Sequence, residues 1–283
     1  MKGRSGSRTE AMDKKEFVLK AVADKKDLIV EVSDKIFDYA ETGFHEFKTA
    51  KLYEDVLKKE GFQVEMGVGG MPTAFKATYG TEKPVIGFLA EYDALPELSQ
   101  EGGCTMRKKA EGENPDGHGC GHNLLGAGAM AAALAVKAYL EEHPEAGSVV
   151  LFGCPSEEKG DGKAVMAREG IFDGVDAAFT WHPGDKNEIW SESTLANVSV
   201  FFNFKGVTSH AAAAPELGRS ALDAAELMSV GVNYLREHII SDARIHYAYR
   251  DVGGIAPNVV QGHSRVHYFI RAPKSWQVKE IYR

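Results

Sequence analysis

Residues 73–79, 83–90, 148–153 and 177–181 form four short runs rich in apolar and β-branched side chains, and helix-patterned stretches at 124–142 and 163–169 fall between them. Runs of that length and composition read as strands. Strands that alternate with helices bury a sheet beneath those helices, so the pattern predicts an α/β sandwich. Two amphipathic stretches upstream, 14–40 and 45–61, place apolar residues such as Leu28, Val32, Ile36 and Tyr39 three or four apart and supply further cover. The longest apolar run, 124–140, is rich in Ala and Gly and carries Lys137, which suits a helix sunk in a protein core better than a membrane span.

Past residue 194 the texture changes. Strand-like 197–204, helix-like 220–238, strand-like 244–252 and 264–271, and a helix opening at 276–282 give the order β-α-β-β-α. That order predicts a small ferredoxin-like α+β domain over 195–283, one strand short of the complete split βαβ unit. Residues 1–12 are polar and rich in Gly and Ser and predict a disordered leader, which leaves 13–194 as the first folded domain. With 283 residues, 43% of them hydrophobic, the chain can bury two such cores. Its formal charge of −8 repels a polyanion, and it has no basic run interleaved with aromatics, so nucleic acid is excluded as the expected partner. Three cysteines at no disulfide-like spacing, and no signal-like apolar segment, predict a cytoplasmic protein without a membrane anchor.

The chemistry gathers where strand-like runs end. Gly117-His118-Gly119-Cys120-Gly121-His122-Asn123 sets a thiol and an imidazole two residues apart in a glycine-loosened loop that enters a helix. Both are ligands for Zn- or Mn-like ions, although Cys120 also reads as a small buried residue in a helix-capping turn. Cys154-Pro155-Ser156-Glu157-Glu158 puts two acids side by side after an apolar strand. In extended backbone they point opposite ways, so one carboxylate can bind metal while the other accepts a proton from water. A solvated acidic turn gives the same letters. His182 ends the strand-like run at 177–181 and is held by Pro183 and Gly184, and Asp93 follows the run at 83–90 just before Pro96. His182 is either a ligand or a structural histidine. Asp93 either fixes the tautomer of a ligating His122 or opens a turn.

These blocks, in this order, resemble the metallopeptidase family that includes carboxypeptidase G, aminoacylases and the auxin-conjugate amidohydrolases. The resemblance rests on Ala90-Glu91-Tyr92-Asp93-Ala94-Leu95, on Gly-His-Gly-Cys-Gly-His-Asn-Leu-Leu-Gly at 117–126 and on Gly-Arg-Ser-Ala-Leu-Asp-Ala at 218–224, and it runs from about residue 27 to 283. It implies a zinc-peptidase-like α/β sandwich catalytic domain followed by a ferredoxin-like lid and dimerisation domain, with two divalent ions per subunit, Zn or Mn. By the same resemblance Cys120 bridges the ions, His122, Glu158 and His182 complete much of their coordination, Glu157 is the general base and Asp93 orients from behind. Glu91 stands where several relatives carry a metal-binding histidine and is expected not to ligate. In the second domain His210 resembles the lid histidine that stabilises the oxyanion in a partner subunit's site, while Asn258 and Arg271 resemble the residues that grip the substrate carboxylate. His210 otherwise reads as a turn histidine and Arg271 as a strand-end charge.

The implied reaction is hydrolysis of an N-acyl or aroyl amino acid such as p-aminobenzoyl-glutamate, with a dipeptidase on the same site and a non-catalytic metal-binding or dimerisation module as the competing readings. The implied partners are the small substrate and a second copy through the lid, or a related subunit in a hetero-oligomer. Asn123 stands where the broader family carries Asp. Relatives continue past the equivalent of Arg283 and supply one last histidine ligand, and His238, His246, His263 and His267 all fall in the lid-like region. The chain is therefore expected to be a truncated form, inactive or nearly so by itself.

Overall fold

The computed structural model describes residues 13–191 and 193–283, and the leader expected over 1–12 lies outside the described residues. The chain divides between Asn187 and Glu188 into two compact units.

The first unit opens with α1 (Lys14–Asp24), α2 (Lys26–Tyr39) and α3 (Phe47–Lys59). The single helix expected over 14–40 is two. The break at Lys25 follows from burial: α1 buries no residue fully and lies along the later helix α4 (His122–Glu142), whereas α2 drives Val32 and Ile36 into the core. Lys25 is tied at this break to Glu60 by a 2.6 Å ion pair.

The sheet comprises β1 (Gln63–Met66), β2 (Phe75–Tyr79), β3 (Val85–Ala90), β4 (Ser148–Gly153) and β5 (Ala177–Phe179) in the order β1-β2-β4-β3-β5. β3, β4 and β5 are mutually parallel, and β1 and β2 add antiparallel strands on one side. All six residues of β4 are buried. Because successive side chains alternate faces, Val149 and Leu151 join Ile36, Tyr53, Leu57 and Met130 beneath the helices, while Val150 and Phe152 join Met71, Cys154 and Met166 on the far side. α5 (Gly162–Arg168) covers that far side through Met166. Each large apolar side chain so buried contributes about 1.5–3 kcal/mol. Helices on both faces make this the expected sandwich. Helix α4 is long and apolar enough to cross a membrane, yet 67% of its apolar window is buried inside the unit, as a core helix requires. The edge strand β1 has no counterpart in the apolar pattern, because Gln63 and Glu65 alternate with its apolar residues over only four positions.

The second unit runs β6 (Ala196–Lys205), α6 (Ala221–Leu235), β7 (Arg244–Asp251), β8 (His263–Ala272) and α7 (Ser275–Tyr282). The strands pair antiparallel in the order β6-β8-β7, with α6 and α7 packed on one face through Ala225, Val266, Tyr268, Ile270 and Val278. Ser220 caps α6 by accepting a hydrogen bond from the Asp223 amide. This is the β-α-β-β-α order expected of a ferredoxin-like unit. On the opposite face Phe201 stacks on His267 at 4.1 Å and the Arg265 guanidinium lies 4.0 Å over the Phe201 ring.

Candidate metal centre

Parallel strands all end at the same edge of a sheet, and β3, β4 and β5 are neighbours. Their C-terminal ends therefore deliver Glu91 and Asp93, Glu157 and Glu158, and His182 to one place, the position where α/β sheets gather their chemistry. α4 begins at that edge with His122, and Gly121, at φ 79°, turns the chain between Cys120 and the helix in a conformation that glycine adopts freely. Gly126 lets α4 approach the strand end: a Cβ there would stand 2.6 Å from the Glu91 carbonyl and 2.4 Å from the Tyr53 hydroxyl.

Asp93 is buried and makes two bonds that shape the cluster. Its Oδ1 lies 3.0 Å from His122 Nδ1, and its Oδ2 accepts from the Glu158 amide at 3.0 Å. His122 Nδ1 also stands 3.0 Å from the Asp93 carbonyl, so both oxygens favour a proton on Nδ1 and leave Nε2 as a bare acceptor pointing inward. Around Nε2 lie Glu91 Oε2 at 3.3 Å, Glu157 Oε2 at 3.7 Å and Glu158 Oε1 at 3.9 Å. Cys120 Sγ sits 3.1 Å from His182 Nε2, and the two histidine rings are perpendicular at 5.8 Å.

Two sets of donor atoms each converge within 4.8 Å: Cys120, His122 and His182, and Glu91, His122 and Glu157. His122 belongs to both, whereas Cys120 belongs to one. Glu91, expected to stand aside, is in the second set. The acid pair differs from its expected form as well. Glu157 and Glu158 lie in a 3₁₀ turn behind Ser156, whose φ of 56° is left-handed, so both carboxylates face His122 instead of diverging from an extended strand. Gly162 makes the turn possible, since a Cβ there would overlap the Pro155 carbonyl at 1.7 Å.

The electrostatics mark a place for a cation. Burial pushes the Cys120 thiol up to about 12, and the carboxylates of Glu158, Glu157 and Glu91 add to the effect. Burial and Glu91 raise Glu157 above the ordinary glutamate range against the pull of Lys163 and His122. Burial opposes the Asp93 carboxylate, but His122 and the Glu158 and Glu157 amides outweigh it and hold that group low. Glu91 Oε2 and His122 Nε2 are buried with no hydrogen-bond partner. Crowded negative charge and two orphaned acceptors are what a divalent ion relieves, and thiol, imidazole and carboxylate are donors for Zn- or Mn-like ions.

The second unit holds the remaining expected residues, and it does not bring them together. His210 Nδ1 accepts from the Ala212 and Ala213 amides at 3.2 and 3.1 Å, which leaves Nε2–H as an exposed donor. Asn258 lies beside it, its carbonyl accepting from the Ala211 amide at 2.9 Å. Arg271 pairs with Asn197 at one end of β8, whereas the His210 and Asn258 loops follow the other end, where Lys205 pairs with His263. Eight residues of strand separate those ends, about 27 Å at about 3.4 Å per residue. Asn258 and Arg271 therefore lie at opposite ends of the sheet and do not meet within one chain. Arg271 Nε is buried without a partner, and its guanidinium lies 5.4 Å from the Phe269 ring. Sequence reasoning also missed Lys163, whose ammonium pairs with Glu91 Oε1 and which no motif singles out.

A sandwich whose parallel strands end in a thiol, imidazole and carboxylate cluster, followed by a ferredoxin-like unit, defines a class, and the chain belongs to peptidase family M20/M25/M40, whose model matches residues 87–272. Among curated relatives it is 50% identical over 267 residues to a p-aminobenzoyl-glutamate hydrolase subunit of Escherichia coli, covering 94% of this chain and 55% of that one. It is 35% identical over 221 residues to the Xaa-Arg dipeptidase of Mus musculus, covering 75% of this chain and 47% of that one. The chain thus spans about half the length of the curated relatives it matches. A dinuclear metal-binding peptidase of the M20 family from Bacillus subtilis shares the fold at a TM-score of 0.57 and 19% identity, over 94% of this chain and 67% of that one.

Proposed function

We propose that this chain carries the metal-dependent amide-hydrolysing site of an amidohydrolase that acts on an N-acyl or aroyl amino acid such as p-aminobenzoyl-glutamate. The observation that carries the reading is the convergence of Cys120, His122, His182, Glu91 and Glu157 at one sheet edge, and the 50% identity to a p-aminobenzoyl-glutamate hydrolase subunit supports the substrate class. Two divalent ions, Zn or Mn, would be held by Cys120, His122, His182 and Glu158, and when bound they supply electrophilic assistance to the amide carbonyl and a water acidic enough to ionise near neutral pH.

The residues of the chain do the rest. Glu157, raised by burial and by Glu91, is set to take the proton of the attacking water and pass it to the leaving nitrogen. Asp93 holds His122 in the tautomer that leaves Nε2 free. His210 offers its Nε2–H to the oxyanion, and the guanidinium of Arg271 is shaped for a carboxylate. Because His210 and Arg271 lie at opposite ends of one sheet, one substrate would be held by Arg271 of one copy and by His210 and Asn258 of a second. The ferredoxin-like unit then serves as the lid and dimerisation module.

A metal-supplemented hydrolysis screen of N-acyl amino acids and dipeptides, run on a form with the full length of the matched relatives, tests the reading. Turnover of p-aminobenzoyl-glutamate that requires added Mn or Zn is the expected result. The likeness to an Xaa-Arg dipeptidase favours a second reading, cleavage of a free-amine dipeptide at the same site. Turnover that disappears when the amine is acetylated would select the dipeptidase. Metal uptake with no hydrolysis of any member would leave a binding or dimerisation module.

A further inference from the structure

Glu46 is a buried carboxylate that no step above uses. It is 0% exposed, and its hydrogen-bond partners are neutral groups: Oε1 accepts from the Ser156 amide at 2.8 Å and Oε2 from the Thr73 hydroxyl at 2.9 Å. Burying an acid in this way is unfavourable, and burial raises its carboxyl above the ordinary glutamate range. The cost is borne where the acid turn begins.

Ser156 has a left-handed φ of 56°, which a residue with a side chain holds only when surrounding contacts fix it. Its own hydroxyl is buried with no partner, so the side chain does not brace the turn. Two carboxylates do. Glu46 receives the Ser156 amide at the front of the turn, Asp93 receives the Glu158 amide at the back, and Glu157 lies between these anchors. Gly43 closes the packing: a Cβ there would stand 2.5 Å from Ser156 Oγ, and its carbonyl accepts from Lys159 at 3.0 Å. The brace also reaches the end of β3, because the carbonyl of Thr73 accepts from the Tyr92 hydroxyl at 2.7 Å. We propose, resting on the reading of Glu157 as the base, that Glu46 is a positioning residue that fixes the Ser156 turn in its left-handed conformation and so aims the Glu157 carboxylate.

Two readouts on a form with the full length of the matched relatives test this. Amide hydrogen exchange over residues 154–160 reads the turn without any turnover. Glu46→Ala is expected to speed exchange there at least about tenfold, whereas Glu46→Gln, which keeps an oxygen for the Ser156 amide, stays within about threefold of the unaltered protein. Steady-state kinetics reads the base. Glu46→Ala is expected to lower kcat about 10–100-fold with KM within about twofold, and Glu46→Gln to retain most of the unaltered kcat. Ser156→Gly, which adopts φ 56° without strain, should recover part of the loss when added to Glu46→Ala. Unchanged exchange or normal kcat in Glu46→Ala, or a Glu46→Gln as impaired as Glu46→Ala, would overturn the inference. Absent turnover in the unaltered protein would overturn the amidohydrolase reading, and exchange alone then decides whether Glu46 holds the turn. If Glu46→Ala does not fold, Glu46→Asp, one methylene short, is expected to speed exchange and lower kcat, and normal values in both overturn the inference.

Discussion

The two sheets place their polar residues in opposite ways. In the first unit three parallel strands end together, and residues separated by up to 91 positions in the sequence, Glu91 to His182, fall into one cluster around His122. In the second unit antiparallel strands send successive connections to alternate ends, and Arg271 is left about 27 Å of strand away from Asn258 and His210. A parallel sheet assembles a site within one copy. An antiparallel sheet distributes its functional groups between its two ends.

The contrast breaks first at Glu157. In a form with the full length of the matched relatives, Glu157→Gln is expected to lower kcat about 10²-fold or more while the metal content stays constant, because the proton carrier is lost and the ligand set is kept. Near-normal turnover would remove Glu157 from its role, and lost metal would make it a ligand. The next effect separates the two donor sets. Cys120→Ala should weaken both metal-binding steps and His122→Ala one of them, by about 10–100-fold or more each, because a thiolate has lone pairs for two ions whereas an imidazole held at Nδ1 by Asp93 has one. Isothermal titration that shows only one step weakened in Cys120→Ala would argue against a bridging thiolate.

A third prediction concerns His118, which lies beside the cluster and donates from Nε2 to the Ile36 carbonyl at 3.0 Å. Burial lowers its imidazole to about 4. The unfolded chain binds that proton near 6.5 and the folded chain does not, so stability is fully present above about 6.5 and is lost as pH falls toward about 4, by at most about 3 kcal/mol. Denaturant titrations of the metal-free chain should show that loss, and His118→Gln should flatten it. An equal slope in the variant would assign the loss to other groups. The smallest effect sharpens the second unit's half of the contrast. Mixing inactive His210→Ala and Glu157→Gln copies should restore activity, up to roughly a quarter of the unaltered value, because half of the sites in mixed dimers join an intact His210 to an intact Glu157. No recovery on mixing would place both residues in the site of one copy.

Much of the fold was legible because the apolar runs are long and regular. The run at 148–153 coincides with β4, and 244–252 and 264–271 lie within a residue or so of β7 and β8. β1 escaped because a four-residue edge strand with one face in water carries little apolar signal, and the break at Lys25 escaped because periodicity continues across it. In the site, Cys120, His122, His182 and the acid pair stood out as unusual residues at strand ends. Glu91 and Lys163 did not. Their meaning lies in two unpaired oxygen and nitrogen atoms and an ion pair across 72 positions, which no local motif records. The opposed positions of Asn258 and Arg271 follow from strand register, which the sequence pattern does not specify until the pairing of β6 with β8 is known.

The central claim is that the edge formed by β3, β4 and β5 is a two-ion metal centre in which Cys120 serves both ions. Its most direct test is metal stoichiometry by inductively coupled plasma mass spectrometry on a form with the full length of the matched relatives, loaded with Mn or Zn and then dialysed, beside Cys120→Ala treated identically. Two retained ions per chain, both lost in Cys120→Ala, is the predicted result. No retained metal in the unaltered chain, or equal retention in the two proteins, would contradict it.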